Sequence, residues 1–98
     1  MRPLLHGDVV AAARVLLLCP PDIRQDICDR MIREAQAADI YARRTKRLHP
    51  LWGNGSLMSA ARKRLLAAEP TFDSVDYCAC FELVLRRLVT WRLSQTHS

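Results

Sequence analysis

His49-Pro50-Leu51-Trp52-Gly53-Asn54-Gly55-Ser56-Leu57-Met58 is the stretch where helix-forming sequence stops and then restarts. Pro50 has no amide proton to give and closes whatever helix runs into it. Gly53-Asn54-Gly55 tolerates positive φ, and Ser56 is a ready N-cap for the residues that follow. Apolar residues recur at helical spacing on both sides, so the stretch divides the chain into helical halves and predicts an all-α fold.

Upstream, the spacing predicts a long helix over residues 22–47. Asp22 and Gln25 fit a capping box at its start. Ile23, Ile27, Met31, Ala35 and Ala38 form its inward stripe, widened by Cys28 and Ile32. Acids crowd its beginning and Arg43, Arg44, Lys46 and Arg47 its end, the distribution that a helix dipole favours. As the longest element it is expected to form the backbone of the bundle. Before it, a helix over 9–18 turns Val9, Val10, Ala13, Leu16 and Leu17 inward, with Asp8 as N-cap or first-turn acid. Pro20-Pro21 ends that helix, because a residue before proline is pushed out of helical geometry. Residues 1–7 read as an arm in which Leu4 and Leu5 can pack.

Downstream, a helix over 56–68 points Leu57, Met58, Ala61, Leu65 and Ala68 inward until Glu69-Pro70-Thr71 breaks it. A last helix over 74–93, capped by Asp73 or Ser74, has a wide apolar face of Tyr77, Cys78, Phe81, Val84, Leu85, Leu88 and Trp91. Cys78 reads as core and Cys80 as flank. Residues 94–98 are polar and read as a frayed end. Four amphipathic helices in 98 residues give one domain, a small four-helix bundle.

Composition narrows the chemistry. The net charge of +5 permits weak attraction to nucleic acid, an anionic membrane or an acidic partner without requiring any of them. The apolar run from Val9 to Cys19 is interrupted by Arg14 and lacks an export cleavage pattern. It is also far short of the roughly 20 residues needed to span a bilayer, so no membrane partner is expected. The four cysteines are therefore read as reduced thiols of a cytoplasmic protein. On a helix, Cys78 and Cys80 point about 200° apart and cannot easily grip one ion. With no CxxC or HxxxH pair, no metal or cofactor is assigned. A dyad of Cys78 with His49 needs a proximity that the sequence does not supply, so no catalytic residue is assigned either.

What remains is binding. The Gly53–Ser56 backbone precedes a helix and has anion-binding potential, but it lacks the Gly-Lys-Ser/Thr ending of a P-loop. The turn itself accounts for Pro50, the glycines and Ser56. It leaves His49, Leu51, Trp52 and Asn54 as candidate partner-binding residues, with Tyr41, Trp91 and Leu93 as further half-exposed apolar candidates. The expected function is a non-catalytic binding protein, an adaptor or oligomerising subunit that contacts another protein or its own copy. The alternative is a nucleic-acid-binding accessory protein. Arg43, Arg44, Lys46 and Arg47 would then join Arg86, Arg87 and Arg92, since an up-down-up-down bundle puts both helix ends on one side.

His6-Gly7-Asp8-Val9, the 49–58 stretch and Asp76-Tyr77-Cys78 resemble a family of short uncharacterised alphaproteobacterial helical proteins, over most of the chain. The resemblance implies a cytoplasmic bacterial protein. It carries no activity, cofactor or site residue.

Overall fold

A computed structural model describes residues 1–96. Its helices are α1 (His6–Leu17), α2 (Arg24–Thr45), α3 (Leu57–Ala61) and α4 (Val75–Thr96), with a short 3₁₀ turn at Pro21–Ile23 before α2. Among the described residues there is no strand, only an isolated bridge between His49 and Gly53. The all-α bundle is as expected. Its centre is not.

The central element is α1, the 12-residue helix, rather than α2. Val9, Val10, Ala11, Ala12, Ala13, Val15 and Leu16 are all buried, which covers nearly the whole circumference. The three consecutive alanines let α2, α3 and α4 pack closely around it. The 22-residue helices α2 and α4 lie outside it and carry ordinary one-sided stripes. On α2 the buried apolar residues are Cys28, Met31, Ile32, Ala35 and Ala38, as the spacing predicts, but Ile27 is only half-buried, and Ile23, expected inward, is exposed because it falls in the 3₁₀ turn before the helix begins.

Several boundaries move, each for a traceable reason. The helical part of α1 begins at His6, so the arm is shorter than seven residues. Asp8 lies inside the first turn and is buried. Its carboxylate accepts the Leu5 amide at 2.8 Å and the Met58 amide, at the start of α3, at 2.9 Å. The Asp22–Gln25 capping box does not form. Arg24 organises that corner instead: Nε donates to the Cys19 carbonyl at 3.0 Å, and the two terminal nitrogens donate to Asp76 at 2.8 and 3.2 Å. Helix α2 stops at Thr45, because Lys46 takes a left-handed conformation with φ 60°.

The largest departure is α3, which spans Leu57–Ala61 and does not reach residue 68. Tertiary hydrogen bonds take over the following residues. Arg64 forms a double ion pair with Glu34 of α2, at 2.7 and 2.8 Å. The Ala67 amide donates to the Arg14 carbonyl at 3.1 Å, and Arg14 Nε donates back to the Ala67 carbonyl at 2.7 Å. The Arg14 carbonyl is among the last four of α1, which have no partner within the helix. Residues 62–74 thus form a strap across the end of α1. Leu65, expected inward, is 84% exposed, and Ala68 is exposed too.

Helix α4 is rotated relative to expectation. Tyr77, Cys80, Val84 and Leu88 are buried, while Cys78 is only half-buried and Leu85 is exposed. The core and flank roles of the two cysteines are therefore reversed. Ion pairs with α2 fix this rotation: Arg24 with Asp76, and Arg87 with Asp29 at 2.8 and 3.0 Å. The helix continues through Ser94 and Gln95, where a frayed end was expected; residues 97 and 98 lie outside the described residues.

Candidate interaction site

The 49–56 loop is built largely by the side chains that turn chemistry left unexplained. His49 and Gly53 exchange backbone hydrogen bonds at 2.9 and 3.1 Å, closing a three-residue excursion. Within it the Leu51 and Trp52 amides donate to His49 Nδ1 at 3.0 and 3.1 Å. Nδ1 is therefore an unprotonated acceptor here. The ring stacks on Trp52 with centroids 4.5 Å apart and meets the Tyr41 edge at 5.0 Å. Asn54 Oδ1 accepts the Ser56 amide at 2.9 Å and the Ser59 hydroxyl at 2.8 Å, and Ser56 caps α3 through the Ser59 amide at 3.1 Å. Of the four candidate partner residues, His49 and Asn54 thus build the loop and Trp52 is half-buried in the stack, while Leu51 stands at the tip, 62% exposed.

Gly55 fixes the loop to α2. Its φ is +92°, and a Cβ there would lie 2.7 Å from Asp39 Cα. Asp39, buried in this contact, pairs with the Met1 ammonium at 3.0 Å and with Arg43 at 3.0 Å. Gln36 also accepts from the Met1 ammonium.

The basic residues divide into two groups. Arg87 is committed to Asp29, Arg86 lies 3.7 Å from Glu82, and Arg43 is on Asp39. Arg92 stacks over Trp91, 5.1 Å from the ring centre. Arg44, Lys46 and Arg47 are exposed, and among the described residues no carboxylate lies within 4 Å of them. The pairs Arg24–Asp76 and Asp29–Arg87 show α2 and α4 running in the same direction, as an up-down-up-down order requires. Arg43 and Arg87 nonetheless stand apart along the axis. Arg87 sits at the level of Asp29, and Arg43 is 14 residues further along, roughly 21 Å at 1.5 Å per residue.

Burial raises the pKa of the Cys28 thiol to about 12, helped by the nearby Asp29 carboxylate. Burial likewise pushes up Cys80 and Tyr77. A thiol held protonated is a poor nucleophile and a poor metal ligand. Among the described residues no three His, Cys, Asp or Glu side chains gather as a metal site, and no helix is long and apolar enough to cross a membrane.

A strongly apolar concavity lies elsewhere, between the start of α1 and the outer side of α4. It is a groove of about 540 Å³ whose walls include Leu5, Val9, Phe81, Leu85, Val89 and Arg92. Leu5, Leu85 and Val89 are 71%, 46% and 59% exposed. His6 closes one side, its ring 5.9 Å from that of Phe81. The sequence reading missed this groove because it turned Leu85 inward. The available signal was an excess: Phe81, Leu83, Leu85, Leu88, Val89, Trp91 and Leu93 are more apolar residues than one face of α4 can bury.

A family model described as a domain of unknown function (DUF7742) matches residues 2–88. No curated protein and no solved structure matches the chain.

Proposed function

The chain belongs to the DUF7742 family, and from the surface just described we propose that it works as a small protein-binding module. The observation that carries this reading is the apolar groove between α1 and α4, where large aliphatic side chains from two elements stand in water together. Scattered exposed leucines are ordinary; a contiguous concave set on rigid helices is what an interface uses. A groove of this kind takes the apolar face of another helix. The four unpaired thiols support a cytoplasmic setting for this activity.

The test is in-cell photo-crosslinking. A benzoyl-phenylalanine at Val89 should give a discrete heavier adduct, whereas the same residue at exposed Arg30 should not. Equal labelling from both positions, or none from either, overturns the reading.

One observation favours a second, nucleic-acid reading: at the end of α2, Arg44, Lys46 and Arg47 have no carboxylate within 4 Å among the described residues, in the same stretch of chain as the Tyr41–His49–Trp52 rings. Unpaired cations next to aromatic rings suit a phosphate backbone with its bases. In this reading Arg87 drops out, being held by Asp29, and Arg86, only loosely in contact with Glu82, lies too far along α4 to join this end of α2. A salt-sensitive mobility shift with single-stranded RNA, weakened in Arg44→Ala/Arg47→Ala, supports it. Absence of binding at low salt removes it.

A further inference from the structure

The outer face of α4 carries a pattern that complements itself. At about 100° per residue, Leu85, Val89 and Arg92 fall within roughly 60° of one another, and Glu82 lies on the adjoining flank. Along the helix the order is acid, apolar, apolar, base: Glu82, Leu85, Val89, Arg92. All four are exposed. Glu82 has only a loose contact with Arg86, at 3.7 Å between two solvated side chains. Arg92 has no carboxylate within 4 Å among the described residues and leans on Trp91.

We infer that the occupant of the groove is a second copy of this chain, docked with its α4 antiparallel to the first. This rests on the protein-binding reading and names the partner. A two-fold axis at the level of residue 87 sets Leu85 against Val89 of the partner subunit, since each lies two residues from that level. The same axis sets Glu82 against Arg92 of the partner subunit, since each lies five residues from it, about 7.5 Å along the helix. Two apolar contacts and two ion pairs then form at once, as the isologous symmetry of a dimer requires. Leu5, at the rim of the groove, extends the apolar contact beyond α4. A parallel arrangement would place Glu82 on Glu82 and Arg92 on Arg92, so charge selects the antiparallel one.

Sedimentation equilibrium of the full chain tests this. The parent mass should rise with concentration from 11.2 kDa to twice that value. Glu82→Arg and Arg92→Glu should each weaken association roughly tenfold or more, because each puts two like-charge pairs into the dimer, one on either side of the axis. The double variant Glu82→Arg/Arg92→Glu restores opposite charges and should return to within about threefold of the parent. Leu85→Asp should be monomeric with an unchanged helical circular dichroism spectrum, since Leu85 is outside the core. A parent that stays at 11.2 kDa at every concentration overturns the inference. So does a dimer whose affinity is indifferent to all three charge variants. A monomer that still gives a heavier adduct from position 89 overturns the second copy but leaves the groove reading standing. A monomer with no adduct overturns both.

Discussion

Replacing Asp8 by alanine tests the joint on which the fold turns. Asp8 is buried at the first turn of the central helix, and its two carboxylate oxygens take backbone amides from two directions. One is Leu5, which it holds in the entry to α1; the other is Met58, which it holds at the start of α3. A hydrogen bond to a charged acceptor contributes about 1.5–3 kcal/mol, and removing the acceptor strands its donor. Losing both should cost about 3–5 kcal/mol, a large share of the roughly 5–15 kcal/mol available to a domain. At about 4–8 °C per kcal/mol for this size, the melting temperature should fall by about 12 °C or more. Asp8→Asn keeps one acceptor and should lose roughly half as much. The assay is urea unfolding followed by far-ultraviolet circular dichroism, with amide exchange at Met58 as the local readout. Asp22→Ala is the control, because Asp22 is exposed and makes no cap hydrogen bond. If Asp8→Ala lies within about 0.5 kcal/mol of the parent, the joint is not structural, since changes of that size are typical of neutral surface sites.

The loop, the acid response and the thiols offer three further checks. Gly55→Ala must place a Cβ 2.7 Å from the α2 backbone at a φ of +92°, so thermal unfolding should show a loss of about 2 kcal/mol or more; a parent-like melt would mean that the loop does not dock on Asp39. Arg24, hydrogen-bonded to Asp76, holds the Asp76 carboxyl below the ordinary carboxylate range. The stability linked to a depressed carboxylate is present above its unfolded pKa, about 3.9, and is lost as pH falls through the lower folded value. Asp76→Asn should therefore lose less melting temperature than the parent between pH 5 and pH 2; an identical acid profile would dismiss the pair as a pH-linked contact. Ellman's reagent at pH 8 should find half-buried Cys19 and Cys78 before buried Cys28 and Cys80, with all four reacting in denaturant. Uniform reactivity in the native state would contradict the burial of the last two.

Helix existence was legible in the sequence because it depends on local period, and the period is strong. From Cys28 onward the inward stripe of α2 is where its spacing places it, and Ser56 caps α3 as its position before an apolar run suggests. What could not be read locally is what long-range bonds decide. Residues 62–68 have helical composition, yet Arg64 leaves for Glu34 and Ala67 for the carbonyl of Arg14. The partners lie 30 and 53 residues away in sequence, beyond any window on which periodicity operates. The centrality of α1 was more nearly legible. Val9 to Leu16 contains only Arg14 as a polar residue, and a helix apolar on nearly every side belongs in the middle of a bundle. Length misled where circumference would have informed.

The site divides along the same line. Unlike residues crowd into the loop at 49–58, and the structure gives most of that crowding a local task. His49 accepts two amides, Asn54 an amide and a hydroxyl, and Gly55 lies against α2. Unusual composition in a loop therefore marked backbone groups that needed partners, which is a structural need before it is a functional one. The groove on α4 is the opposite case. Its residues are ordinary leucines and valines, and nothing in their type separates those that face α1 from those that face water. That choice is made by Arg24 and Arg87, which grip Asp76 and Asp29 and turn the helix until Cys80 is inside and Leu85 is outside. Two ion pairs between α2 and α4 thereby set which apolar side chains are left for a partner. Breaking one of them, as in Asp29→Ala, should change association through the groove without altering any residue that lines it.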